Sequence, residues 1–212
     1  AQAMLSGHLD IPGKIAGIEG IPTGGKTQIY FGVGPAIMRI PLSGWLHGLT
    51  GRLGILSMTT AVGVLGLASA RLLGRSRKLV DPHARIAPWM FGVMAAGSSI
   101  CTPVLFAASR SNVYHEAAIW GCAASLAGLD LVVCWWREPT RRNFFVAVAV
   151  AAFAVSCRLT SGIAPAIALG LFGAVLGLRR EWSRALAAVL GASLALLGFA
   201  FFNWLRFRSL FS

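Results

Sequence analysis

Four groups of residues have the types and spacing to do chemistry. Arg158 closes an apolar run and stands before Thr160, Ser161 and Gly162, with Pro165 opening the next run. A guanidinium so placed can bind a phosphate bidentately, and amides at the following helix start can add donors; the competing role is a side chain snorkelling to headgroups. His115 and Glu116 open a later run, with Tyr114 before them and Trp120 one turn on. An imidazole beside a carboxylate suits a metal ion or a sugar hydroxyl. Equally, a carboxylate at a helix N-terminus is favoured by the dipole, and Tyr and Trp form an ordinary interfacial belt. Tyr30, Phe31 and Arg39 form an aromatic and basic group beside Gly32, Gly34 and Pro35. Glycines there let backbone approach a ligand closely; an interfacial anchor is the alternative. Asp130, deep in the run begun by Glu116, is either a proton-relay group or, preferably, the partner of a loop arginine.

These residues must be positioned by helices. Apolar runs at 53–73, 87–108, 113–136, 144–157, 163–178 and 185–205 predict about six membrane-spanning helices, each span needing about 20 residues to cross roughly 30 Å of hydrocarbon. The fourth run is short, so its helix is expected to continue through Arg158 and Leu159. Residues 1–50 read differently. They are rich in Gly and Pro, with Asp10 and Glu19, and turns are expected at Ile11-Pro12-Gly13 and Thr23-Gly24-Gly25. A half-buried helix at the membrane surface is expected after Gly32-Val33-Gly34-Pro35. The expected class is therefore all-α: an extracytoplasmic loop with a short interfacial helix over 1–50, then a transmembrane bundle over 51–212. Small residues such as Gly170, Gly173 and Gly177, or Gly191 and Ala195, would permit close helix approach, Gly173 and Gly177 with G-x-x-x-G spacing.

Composition supports lipid as the solvent. The chain is 56% hydrophobic and 12% charged, against about 25% charged in a typical soluble domain. Its mean hydropathy is +0.71. The net charge of +12 does not point to nucleic acid, because the basic residues lie between apolar runs. Arg71, Arg75, Arg77, Lys78 and Arg85 surround one connection, Arg137, Arg141 and Arg142 the second, and Arg179, Arg180 and Arg184 the third. Arg110 and Arg158 mark the alternate connections. The positive-inside rule then puts connections 75–86, 137–143 and 179–184 in the cytoplasm and the N-terminal segment outside it, in an inner (plasma) membrane. Cys101, Cys122, Cys134 and Cys157 lie within apolar runs as small packing residues, with neither zinc-site nor disulfide spacing. No P-loop, nucleophile elbow, zincin or dinucleotide motif occurs; Gly24-Gly25-Lys26-Thr27 matches only the tail of a P-loop. Ala1-Gln2-Ala3-Met4-Leu5 lacks the basic start and apolar run of a signal peptide, and a processed chain or fragment is expected.

Several strings, taken in order, carry a resemblance. They are Ala3-Met4-Leu5-Ser6-Gly7-His8-Leu9-Asp10-Ile11-Pro12, Gly25-Lys26-Thr27-Gln28-Ile29-Tyr30-Phe31-Gly32-Val33-Gly34-Pro35-Ala36, Val113-Tyr114-His115-Glu116-Ala117-Ala118-Ile119-Trp120-Gly121, Cys157-Arg158-Leu159-Thr160 and Phe202-Asn203-Trp204-Leu205-Arg206-Phe207. Together they resemble bacterial multi-pass glycosyltransferases of the GT-C class. The resemblance implies transfer of a sugar from a polyprenyl-phosphate carrier to an extracytoplasmic acceptor, within a cavity facing outward. Basic groups would hold the carrier phosphate and a carboxylate would act as general base. Arg158 matches the arginine after a short helix in such proteins, with Leu159 where proline is common. Glu116 matches an acidic residue at the outer start of a later helix, and Arg206 a basic residue near an outer helix end. The resemblance adds Arg206 to Arg158, His115, Glu116, Tyr30 and Arg39 as expected substrate-binding residues. Glu116 is the weak catalytic candidate. No cofactor is identified, and a divalent metal is compatible with the pattern.

In that class the catalytic acid follows a first membrane helix ahead of the string that begins here at Ala3. The expectation is an internal fragment or decayed remnant. Two other readings fit the same residues: a structural or assembly membrane protein without catalysis, and a transporter or flippase using Asp130 and Arg158 in an alternating cavity.

Overall fold

The computed structural model describes residues 20–23, 25–29, 32–43, 53–81, 83, 87–100, 104, 108 and 113–207. Among these residues a small antiparallel hairpin, β1 (Gly20–Thr23) and β2 (Lys26–Ile29), is followed by eight helices: α1 (Gly34–Ser43), α2 (Leu53–Val80), α3 (Pro88–Ile100), α4 (Val113–Arg137), α5 (Arg141–Cys157), α6 (Leu159–Gly162), α7 (Ala164–Leu178) and α8 (Trp182–Phe207). The expected turn near Gly24 exists, but it joins paired strands rather than irregular chain. Gly25 supplies its positive φ of 79°. The expected short helix after Gly32 is α1, which runs through Pro41.

Among the described residues, three helices are long and apolar enough to cross a membrane: α2, α4 and α8. The other expected spans fall on helices as well: α5 and α7 have 17 and 15 residues, so each rises only about 22–26 Å, while α3 is described over Pro88–Ile100. The expected passage of the fourth helix through Arg158 is overturned. Helix α5 ends at Cys157, Arg158 is extended at φ −165° and ψ 121°, and the chain restarts as the single turn α6. The break occurs where Gly162 tucks under the end of α5, donating its amide to the Arg158 carbonyl at 2.8 Å.

Helix α4 is the centre of the bundle. It packs against α2, α5 and α7 and touches α1 and α6. Of its most apolar stretch 56% is buried, against 33% for α2 and 28% for α8. One core joins α4, α5, α7 and α8 through Val132, Trp135, Val148, Leu169 and Leu176 with a bed of alanines. A second joins α2, α4 and α5 through Met58, Ala61, Ile119, Trp120 and Cys157.

The pattern on α8 identifies the surrounding solvent. Its buried side carries Ala185, Ala188, Gly191, Ala192 and Ala195, whereas Leu186, Leu190, Leu194, Leu197 and Phe201 are exposed. Small residues inside and large ones outside invert the pattern of a water-soluble helix and suit lipid, where close backbone packing drives association. Gly173 and Gly191 serve this packing as expected. A Cβ on Gly173 would lie 2.9 Å from Val189 Cγ2, and one on Gly191 2.7 Å from Val148 Cγ2.

Gly162 is tighter still, since an added Cβ would fall 2.0 Å from the Ala154 carbonyl oxygen. Gly162→Ala is therefore expected to destabilise the detergent-solubilised chain by about 1–3 kcal/mol, the usual cost of overpacking. Gly170→Ala, which meets nothing within 4 Å, is expected to be neutral or stabilising by up to ~1 kcal/mol. Thermal unfolding of the two variants checks the contrast.

Candidate functional site

Successive residues on a helix point about 100° apart, and the first turn of α4 uses this to serve two neighbours. Tyr114 meets Arg158: the guanidinium carbon lies 4.2 Å from the ring centroid and Nη2 donates to the phenol oxygen. Glu116 turns instead toward α1 and α2. It is ion-paired with Arg39 and accepts from Ser57 Oγ at 2.5 Å. Ser57 Oγ in turn accepts from Trp120 Nε1 at 2.9 Å. Between them, His115 meets Tyr114 edge to face, with centroids 5.8 Å apart.

Glu116 is 3% exposed, so its charge must be matched within the protein. Arg39 and Ser57 do this from two different helices. The sequence read Trp120 as part of an interfacial belt, and the structure corrects that reading: Trp120 is buried, and its indole N–H belongs to the Glu116 network. Ser57 was missed. A usable signal existed, since Glu116 and Trp120 are four residues apart and share a helix face. Nothing in the sequence placed Ser57 opposite them.

Gly32 and Gly34 are also corrected. They admit the protein's own backbone rather than a ligand. A Cβ on Gly32 would lie 1.8 Å from the Cys157 carbonyl oxygen, and one on Gly34 2.3 Å from Cys157 Sγ. The segment leading into α1 is thus pressed onto the end of α5. Tyr30, named with these glycines, lies outside the described residues, as do Phe31, Asp10, Glu19 and Arg110.

Among the described residues, two cavities lie at this end of the bundle. The larger, of 340 Å³, is bounded by the start of α1, the second half of α5 and the second half of α8. Val33, Ile37, Phe153, Phe199 and Phe202 make it apolar, and Asn203 and Arg206 supply its polar wall. Both polar residues are buried, Arg206 at 8% exposure. The smaller, of 160 Å³, lies against Arg39, Ser57 and Trp120. The sequence candidates are therefore distributed: Arg206 borders the larger space, Arg39 the smaller, and Arg158 and Glu116 border neither. Among the described residues no group of three His, Cys, Asp or Glu side chains is placed to hold a metal ion.

Asp130 lies at the opposite end. It is paired with Arg75 at 2.8 Å, and the same Nη1 donates to the Asp130 carbonyl at 3.0 Å. The preferred reading of Asp130 as the partner of an arginine holds.

No protein-family model, no curated protein and no solved structure matches the chain.

Removing Arg39 leaves the Glu116 carboxylate buried without its cation. Arg39→Ala is expected to cost about 3 kcal/mol, the low end for a broken buried pair because Arg39 itself is partly solvated. The double variant Arg39→Met/Glu116→Gln is expected to recover at least half of that loss. A double-mutant cycle on thermal unfolding in detergent measures the coupling.

Proposed function

We propose that this chain is a GT-C-like membrane glycosyltransferase, and that its larger cavity holds the polyprenyl-phosphate carrier. One observation carries the reading: the 340 Å³ cavity pairs apolar walls with a buried guanidinium and an amide, Arg206 and Asn203. A prenyl phosphate has the matching division, an apolar chain and an anionic head. The volume falls in the range of small-molecule sites, about 300–1,000 Å³. In such a site Arg206 donates to the phosphate oxygens, and Phe153, Phe199 and Phe202 cover the first isoprene units. Arg158, at the same end of α5, is engaged by Tyr114 and borders neither cavity.

In this reading α3, α5 and α7 complete six spans with neighbouring residues, and residues 1–50 form the extracytoplasmic segment. The basic connections 75–86, 137–143 and 179–184 face the cytoplasm of a bacterial inner membrane, and the cavity faces outward. The sugar is transferred to an extracytoplasmic acceptor. Glu116, held by Arg39 and Ser57, acts as a structural anchor of the site rather than as its general base.

The non-catalytic assembly reading keeps one supporting observation, the satisfaction of Glu116 by its own protein partners. Binding separates the two. The purified chain is expected to retain a short-chain polyprenyl phosphate in detergent. Arg206→Gln is expected to weaken retention at least tenfold, consistent with a charge-assisted bond of about 1.5–3 kcal/mol. Gly198→Leu, whose added side chain starts from a wall position with nothing within 4 Å, is expected to fill the space and do the same. Equal retention by the parent and both folded variants would sink the carrier reading.

A further inference from the structure

We propose a binding site for an anionic phospholipid at the other end of the bundle, where the end of α4, the end of α7 and the start of α8 meet. The site is independent of the carrier cavity.

The turn between α7 and α8 places its arginines on an aromatic floor. Arg179 lies over the Trp136 ring at 5.3 Å, and Trp136 packs on Phe172 of α7 with centroids 4.7 Å apart. Arg184 lies over Trp135 at 5.7 Å and donates to the Trp136 carbonyl at 3.4 Å. Arg137 continues directly from Trp136 and is exposed. The carboxylates of this corner are Glu181, which pairs with Arg184, and Glu138. Four arginines against two carboxylates leave the corner cationic.

The backbone adds a separate observation. Arg180 has φ +62° and is the described non-glycine residue with positive φ. It closes α7 in a Schellman arrangement, with Arg180 N–H to Gly177 O at 2.9 Å and Glu181 N–H to Leu176 O at 2.9 Å. Glycine is the usual residue at that position, because a Cβ is disfavoured in the left-handed region. An arginine there works against local preference. A basic residue at a neighbouring position would satisfy the charge bias of the connection without that strain.

Apolar surface lies beside the cations. Leu178, Trp182 and Leu186 are 86%, 70% and 61% exposed. They sit on the two helices that the arginines cap, so acyl chains can lie along them while the phosphate meets Arg179 and Arg180. Cation and apolar contact on one corner select a phospholipid over a soluble anion, and the charge selects an anionic headgroup over a zwitterionic one. Juxtamembrane basic residues gain about 1 kcal/mol each near an anionic surface, a factor of about five.

The full chain reconstituted in phosphatidylcholine bilayers provides the test. A small fraction of brominated phosphatidylglycerol or, separately, brominated phosphatidylcholine is added. Tryptophan quenching that disappears in Trp182→Phe reports lipid at this corner. The anionic quencher is expected to be enriched there at least fivefold over the zwitterionic one. Arg179→Gln/Arg180→Gly is expected to abolish the preference, and Arg180→Gly relieves rather than strains the turn, so the loss is not one of folding. Arg77→Gln, on α2, is expected to leave the preference intact. Equal quenching by both lipids in the parent chain overturns the site. So does an equal loss in Arg77→Gln, which would make the attraction a property of net charge alone.

Discussion

A carboxylate taken out of water has to find its cation inside the protein, and Glu116 meets that constraint by drawing three helices together. Arg39 comes from α1, Ser57 from α2, and Glu116 itself from α4. The energetic weight lies less in the attraction than in the penalty for losing it. The arrangement pins α1 against the bundle, and α1 begins at the wall of the larger cavity. The floor under α1 is equally constrained, since Gly32 and Gly34 lie against the last residues of α5 with no space for a Cβ. The cavity beside Arg206 therefore depends in part on contacts outside its lining, the Arg39–Glu116 pair and Gly34.

Away from that charge, cohesion comes from small residues. Alanines of α5 and α8 and Gly173 of α7 allow backbones to approach, while the large side chains of α8 face outward. In lipid there is little hydrophobic gain from burying a leucine against a neighbour, so close packing becomes the term that orders the helices. The same economy explains Gly162, which lets α6 fold back under α5 and releases Arg158 from the helix toward Tyr114.

The two ends of the bundle separate by chemistry. The end with Arg39, Glu116 and Arg206 buries its charges and bounds space beside them. The other end lays Arg179 and Arg184 over tryptophans, and its buried carboxylate, Asp130, is occupied by Arg75. A buried cation suits one amphiphile held specifically, and an exposed cationic corner suits the leaflet itself.

The sequence by itself determined the helical class, the apolar stretches, the clustering of basic residues between them, and the pairing of Asp130 with an arginine. Each follows from composition or from costs that act locally: an apolar run needs lipid or a core, and an intramembrane carboxylate needs a cation. Only the tertiary structure decided which residues share a site. It joined Arg39, Ser57 and Glu116 across 77 and 59 residues of chain and moved Trp120 from the interface to the core. It ended α5 at Cys157 and put Arg206, rather than Arg158, on the cavity wall. Those outcomes depend on which helix faces pack together. Helices made of Ala, Leu, Val and Gly are apolar on every side, so their periodicity does not reveal the facing side; that is set by where small residues of different helices meet.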